Sequence, residues 1–113
     1  MTTVYERIDN KDLKEFVYSE KSKIHGTGLF AAKKIAKGDY IGTYGGPKAK
    51  RDGMYVLWVT DENDVVEARS GKNLLRYLNH KANGNAEFYG FDLYARKAIK
   101  KDAEITFNYE GDE

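Results

Sequence analysis

The chain reads as mainly β, and its sequence carries that reading in three ways. Eleven glycines stand against one proline, and many Tyr, Val and Ile residues lie between them, the pattern of short strands joined by tight turns. Apolar runs are brief and end at Gly, Asn or Asp, residues that suit turn positions. Only one segment, Lys72 to Leu78, has helical spacing, with Leu74, Leu75 and Leu78 on one side.

Taken in order, residues 1–14 are polar and of mixed charge and read as an N-terminal arm. Residues 15–113 read as one domain, as a chain of 113 residues predicts. Glu15 to Ser19 is the first strand. Ile24-His25-Gly26-Thr27-Gly28 is a glycine loop, and Leu29 to Lys33 is the second strand. Ala36-Lys37-Gly38 turns into a strand from Asp39 to Tyr44, and Gly45-Gly46-Pro47 breaks the chain. Met54 to Val59 and Val65 to Ala68 form a hairpin around Thr60-Asp61-Glu62-Asn63-Asp64. The short helix follows, with Ser70 or Asn73 as its N-cap. Glu87 to Phe91, Leu93 to Lys97 and Glu104 to Tyr109 complete the strands.

One stretch echoes another. Ala32 to Ile41 resembles Arg96 to Ile105, pairing Ile35 with Ile99 and Ile41 with Ile105. Both copies read as strand, tight turn, strand. Gly38 supplies a left-handed backbone position in the first copy. Asp102 stands in its place in the second, and Asp tolerates that conformation better than most residues.

Composition narrows the function. Nineteen Lys+Arg face 18 Asp+Glu, too even a balance for a broad nucleic-acid or membrane-surface binder. With no cysteine, disulfides, thiolate zinc sites and thiol nucleophiles are excluded. The two histidines do not make a histidine-rich metal site, so no metal is expected. No signal-peptide core or membrane span is present, so the default location is the cytosol. A viral or bacterially secreted source would make it a host compartment, the host nucleus included.

Three segments carry candidate chemistry. Gly26-Thr27-Gly28 lets backbone bend sharply and approach a ligand, although a G-x-G between strands is equally an ordinary turn. Arg76-Tyr77-Leu78-Asn79-His80 delivers Asn and His where a helix ends and backbone groups are unpaired; by itself it reads as well as a helix-terminating Asn and a packed His. Glu104 to Gly111 is a strand ending in aromatic and polar groups, which also suits an edge strand.

In combination these segments resemble the SET-domain protein lysine methyltransferases. The family's G-x-G loop is matched by Gly26-Thr27-Gly28, and its Y-x-G by Tyr44-Gly45-Gly46. Its R-F-x-N-H-S-C-x-P-N segment is matched by residues 76–85, Arg76 to Asn85. Its final G-E-E-L-x-[FY]-D-Y is matched by Asp102 to Tyr109. The resemblance runs over roughly residues 16 to 111. It implies a SET-type β-clip of several small sheets, one short helix and a knot-like C-terminal segment. It also implies S-adenosyl-L-methionine as cofactor, with S-adenosyl-L-homocysteine as product.

Carried over by residue, the resemblance assigns His25, Gly26, Thr27, Gly28, Arg76, Asn79, His80 and Tyr109 to cofactor binding. Tyr109 is the catalytic hydroxyl, Tyr44 lines the lysine channel, and Phe107 sets product number. A Phe at that place implies di- or trimethylation. The implied partner is a protein with an accessible lysine, a histone tail being the family default. Departures are Lys81-Ala82 for Ser-Cys, Gly84 for Pro and Asn108 for Asp. Only Glu110 to Glu113 follow Tyr109, without the cysteine-zinc segment that closes the channel in many members. A second subunit, as in a homodimer, or the substrate itself could complete it, and a monomer with an open site is the alternative. Two alternatives stay open: a SET-like module that binds peptides without methylating them, and an unrelated small β fold.

Overall fold

A computed structural model describes residues 13–108. Its strands are β1 (Val17–Lys21), β2 (Thr27–Ala31), β3 (Tyr40–Thr43), β4 (Val56–Thr60), β5 (Val66–Ser70), β6 (Asn79–His80), β7 (Ala86–Tyr89), β8 (Asp92–Ala95) and β9 (Glu104–Phe107). Each expected strand is present with its ends shifted by a few residues. Two small antiparallel units, β1–β2 and β7–β8–β3, meet on β9. The β4–β5 hairpin forms a separate two-stranded sheet around the expected turn. The mainly β class of the sequence reading holds.

The helix is shorter than its spacing predicts. It is a single 3-10 turn, Leu74–Tyr77, which buries Leu75. Asn73 does stand at its N-cap, but its side chain makes no cap hydrogen bond. Instead Nδ2 donates to the Thr43 carbonyl at 2.8 Å and Oδ1 accepts from Gly45 N–H. Asn73 is 4% exposed, so these bonds satisfy a buried amide and tie the turn to the end of β3.

The core is made by inward-facing strand residues together with Ile35, Ile99 and Leu75, which lie between the strands. Val17, Leu29, Ile35, Ile41, Leu75, Leu93, Ile99 and Ile105 are essentially fully buried, each worth about 1.5–3 kcal/mol of apolar transfer. Leu13 falls inside the stretch read as an arm, yet it is buried and packs beside Gly42. Lys14 beside it is exposed, and residues 1–12 of that arm lie outside the described residues. No buried side-chain polar atom among the described residues lacks a partner.

The internal echo is a structural pseudo-symmetry. Ile35 and Ile99 face each other and exchange both backbone hydrogen bonds, at 2.9 and 2.8 Å. Gly38 N–H donates to Ala95 O, as Asp102 N–H donates to Ala31 O. Ala95 N–H donates to Asp39 O, as Ala31 N–H donates to Ala103 O. Each turn therefore clamps the strand preceding the other. Gly38 and Asp102 both have positive φ, 89° and 68°.

Asp102 also accepts a 2.8 Å hydrogen bond from the Tyr18 hydroxyl. That bond raises the Tyr18 hydroxyl above the ordinary tyrosine value of 10.0. Because the folded value is raised, its contribution is present below about pH 10 and lost as pH climbs through the raised value. Asp102→Ala is expected to lower stability, through lost hydrogen bonding and a Cβ in the left-handed region without compensation. Asp102→Gly is expected to be milder, because glycine relieves the backbone. Urea midpoints check the order, and ultraviolet titration should show Tyr18 ionising earlier in Asp102→Ala.

Candidate active site

The glycine loop is tied back to β9 by one carboxylate. Ser22 N–H bonds the Gly26 carbonyl at 2.7 Å, closing the loop. Ser22 Oγ lies 2.8 Å from both Glu104 carboxylate oxygens. Asn79 Nδ2 donates to the His25 carbonyl and to Glu104 Oε2, each at 2.9 Å. Glu104 thus gathers the loop, β9 and Asn79 at one point. Charge-assisted bonds of this kind are roughly twice as strong as neutral ones. Gly28 explains itself here: a Cβ would come within 2.9 Å of Ser22 Cβ and collide with the Glu104 carboxylate.

Asn79 and His80 do more than end a helix. They form β6, which runs parallel to β9 with Asn79 opposite Thr106 and His80 opposite Phe107. Lys81 N–H extends the pairing to the Phe107 carbonyl at 3.2 Å. Asn85 holds the other side, accepting from Thr106 N–H and donating to the Glu104 carbonyl, both at 2.9 Å. Buried Gly84 lets the chain lie against β9: a Cβ there would stand 2.7 Å from Phe107 Cα. The residue at the family's proline position is therefore matched to the local packing.

Between the loop, the 3-10 turn and β6 lies an open cleft of about 360 Å³. His25, Gly26, Thr27, Arg76, Asn79 and His80 line it, as do Met54, Tyr55, Tyr77 and Leu78. The first six are residues the sequence singled out. Met54 and Tyr55 were not, because they come from the approach to β4 and only the fold brings it to the loop; Tyr77 and Leu78 lie within the Arg76–His80 segment, with no role assigned to them there. Gly28 sits behind the cleft, against Glu104.

Arg76 is largely committed to the turn. Its Nη1 donates to the carbonyls of Lys72 (2.7 Å) and Asn73 (3.0 Å), and Nη2 to the Tyr77 hydroxyl (2.6 Å). The guanidinium also lies 4.4 Å from the Tyr77 ring centroid. It braces one wall of the cleft.

Behind the cleft runs a row of aromatics. Tyr44 is 5% exposed, and its hydroxyl donates to the carbonyl of cleft-lining Tyr55 at 2.5 Å. Tyr44 meets Phe88 edge-on at 5.9 Å, and Phe88 meets Phe107 edge-on at 4.9 Å. Phe107 and Phe88 also line a second depression of about 240 Å³, together with Glu87, Tyr89, Arg96 and Asn108. Tyr109 lies outside the described residues. No cluster of three or more metal-ligating side chains occurs among those described.

The family model for the SET domain matches residues 26–110. The histone-lysine N-methyltransferase trr of Drosophila melanogaster is 31% identical over 85% of this chain. An H3 lysine-4 specific histone-lysine N-methyltransferase of Aspergillus oryzae is 29% identical over 88%. This chain spans only 5% and 10% of those two proteins. Among solved structures, ctPRC2 in an autoinhibited conformation bound to S-adenosylmethionine superposes with a TM-score of 0.67. It is 26% identical, covering 83% of this chain and 15% of that one. The methyltransferase domain of human SETMAR shares the fold at a TM-score of 0.74 and 21% identity, covering 85% of this chain and 45% of that one.

Proposed function

Because the chain belongs to the SET-domain family, we propose that it is an S-adenosylmethionine-dependent protein lysine N-methyltransferase. The observation that carries the reading is the parallel β6–β9 pair. It sets Asn79 and His80 on the cleft and Phe107 at its back, with the glycine loop hydrogen-bonded to Asn79. The lining fits the cofactor's chemistry. Apolar faces of Tyr55, Tyr77 and Leu78 suit a nucleoside, while the Asn79 amide and loop backbone suit an amino-acid end. Asn79 uses Nδ2 on the loop and Glu104, which leaves Oδ1 as its acceptor toward a ligand ammonium.

Bound in the cleft, S-adenosylmethionine supplies a methyl group on a sulfonium, and transfer to an amine needs no metal. The residues of this chain do the rest. A lysine ammonium has a pKa of about 10.4 in water and must lose its proton to act as nucleophile. Aromatic rings such as Phe107 and Phe88 beside the amine would disfavour its charged form. The Tyr109 hydroxyl, read from the family motif, orients the amine. Positioning supplies most of the acceleration. With Phe rather than Tyr at 107, the lysine channel has room for methylated products, and di- or trimethylation follows. Tyr44, its hydroxyl bonded to Tyr55, supports that channel from behind.

The substrate is a lysine-bearing protein, with histone tails the first class to try. A homodimer is part of the same proposal, and a gel-filtration mass of one chain would count against it. The activity is tested by transfer of labelled methyl from S-adenosylmethionine to histones and cell lysate, with Tyr109→Phe as control. Labelled protein that disappears in the variant is expected. Cofactor binding without any labelling would instead favour a SET-like peptide-binding module.

A further inference from the structure

The outer face of the β3–β8–β7 sheet carries an exposed set of tyrosines beside carboxylates. Along β8, Leu93 and Ala95 are buried while Asp92 and Tyr94 face outward. Register places Tyr40 of β3 and Glu87 of β7 on either side of Tyr94. It places Thr43 and Tyr89 on either side of Asp92. The Tyr94 ring meets Tyr40 and Tyr89 edge-on, both at 5.6 Å, with interplanar angles of 62° and 72°. Near-perpendicular rings form corners that present more than one π face to a cation. Tyr40 is 44% exposed and Tyr89 64%, where water-facing strand positions ordinarily carry polar side chains.

The carboxylates are held in the same face. Thr43 Oγ1 donates to Asp92 Oδ1 at 2.7 Å and shares a short hydrogen bond with the Tyr40 hydroxyl. The Tyr89 hydroxyl points to Glu87 Oε2 at 3.3 Å. Arg96, at the end of the strand, turns its Nη1 onto the Gly84 carbonyl at 3.1 Å. Glu87 and Tyr89 also line the depression that contains Phe107, so this face borders that depression.

We propose that this face docks a lysine side chain of a basic protein segment. An alkylammonium seats against the tyrosine rings by cation–π attraction, and Asp92 and Glu87 supply the opposite charge. That the segment belongs to the protein being methylated rests on the proposed activity; the docking itself does not. The face thereby reads a second basic residue near the target lysine.

The test is binding without turnover. The full chain is titrated with a Lys-Gly-Ala repeat peptide in unmodified, trimethylated and acetylated forms, and amide shifts are followed by NMR. Perturbations centred on Tyr40, Asp92, Tyr94 and Tyr89 are expected. Affinity should fall about two- to fivefold in Tyr89→Ala and in Asp92→Asn, and further on acetylation of the peptide. Tighter binding of the trimethylated form would mark ring contact as the main term, and tighter binding of the unmodified form the carboxylates. Equal binding of the acetylated peptide, or perturbations elsewhere on the surface, would overturn the proposal. Neither variant touches the cleft, so stabilisation by S-adenosylmethionine should persist in both. Loss of methyl transfer with docking intact would count against the proposed activity and not against this surface.

Discussion

Asn79→Ala is expected to weaken S-adenosylmethionine binding about 100-fold, since it removes hydrogen bonds that together amount to about 3 kcal/mol. Asn79 Nδ2 joins the His25 carbonyl to the Glu104 carboxylate. Without it the loop keeps its pairing with β1, but its side-chain tie to Glu104 reduces to Ser22, whose hydroxyl can give a single proton. The loop then occupies its binding position for a fraction of the time, and apparent affinity falls by that fraction. Asn79→Asp should lose at least as much, because a second carboxylate would face Glu104. Calorimetric titration with the cofactor measures both. Affinity unchanged in Asn79→Ala would mean that Ser22 and Glu104 hold the loop alone.

Gly46→Ala is expected to destabilise the fold by about 3 kcal/mol or more, lowering the melting temperature by on the order of 15 °C. Gly46 has φ of 155°, and its missing Cβ would overlap the Ser70 carbonyl oxygen, with Lys72 N only 3.2 Å away. Those are backbone atoms, so no rotamer change relieves the clash. Both neighbouring contacts are ladder-like: Ser70 N–H donates to Pro47 O at 2.9 Å, and Lys72 N–H to Gly45 O at 2.7 Å. Pushing them apart separates β5 and the 3-10 turn from the end of β3, and so opens the wall that carries Tyr55 and Arg76. Thermal unfolding reads the loss. A melting temperature within a few degrees of the parent would show that this loop shifts freely.

Much of this molecule is legible along the chain because its signals are local. Period-two burial marks β8, turn residues mark the β4–β5 hairpin, and the echo of Ile35 with Ile99 anticipates a bridge that forms between them. The positive φ at Gly38 and Asp102 follows from the residues themselves. The order of four short motifs identified the family, which the SET-domain match over residues 26–110 establishes.

Contacts between distant residues are where local signals end. A two-residue strand such as β6 has no periodicity to detect, and its parallel partner lies 27 positions further on, Asn79 facing Thr106. The same limit hid Glu104, an ordinary strand carboxylate until Ser22 and Asn79 converge on it. It hid Asn73, whose spacing promised a cap but whose buried amide found better partners on Thr43 and Gly45. Leu13 and the Tyr40–Tyr94–Tyr89 face depend likewise on which strands become neighbours. By itself the sequence determined the strands other than β6, the turns and the family. Only the tertiary structure decided which side chains meet, because hydrogen bonding and burial act between residues that the chain keeps far apart.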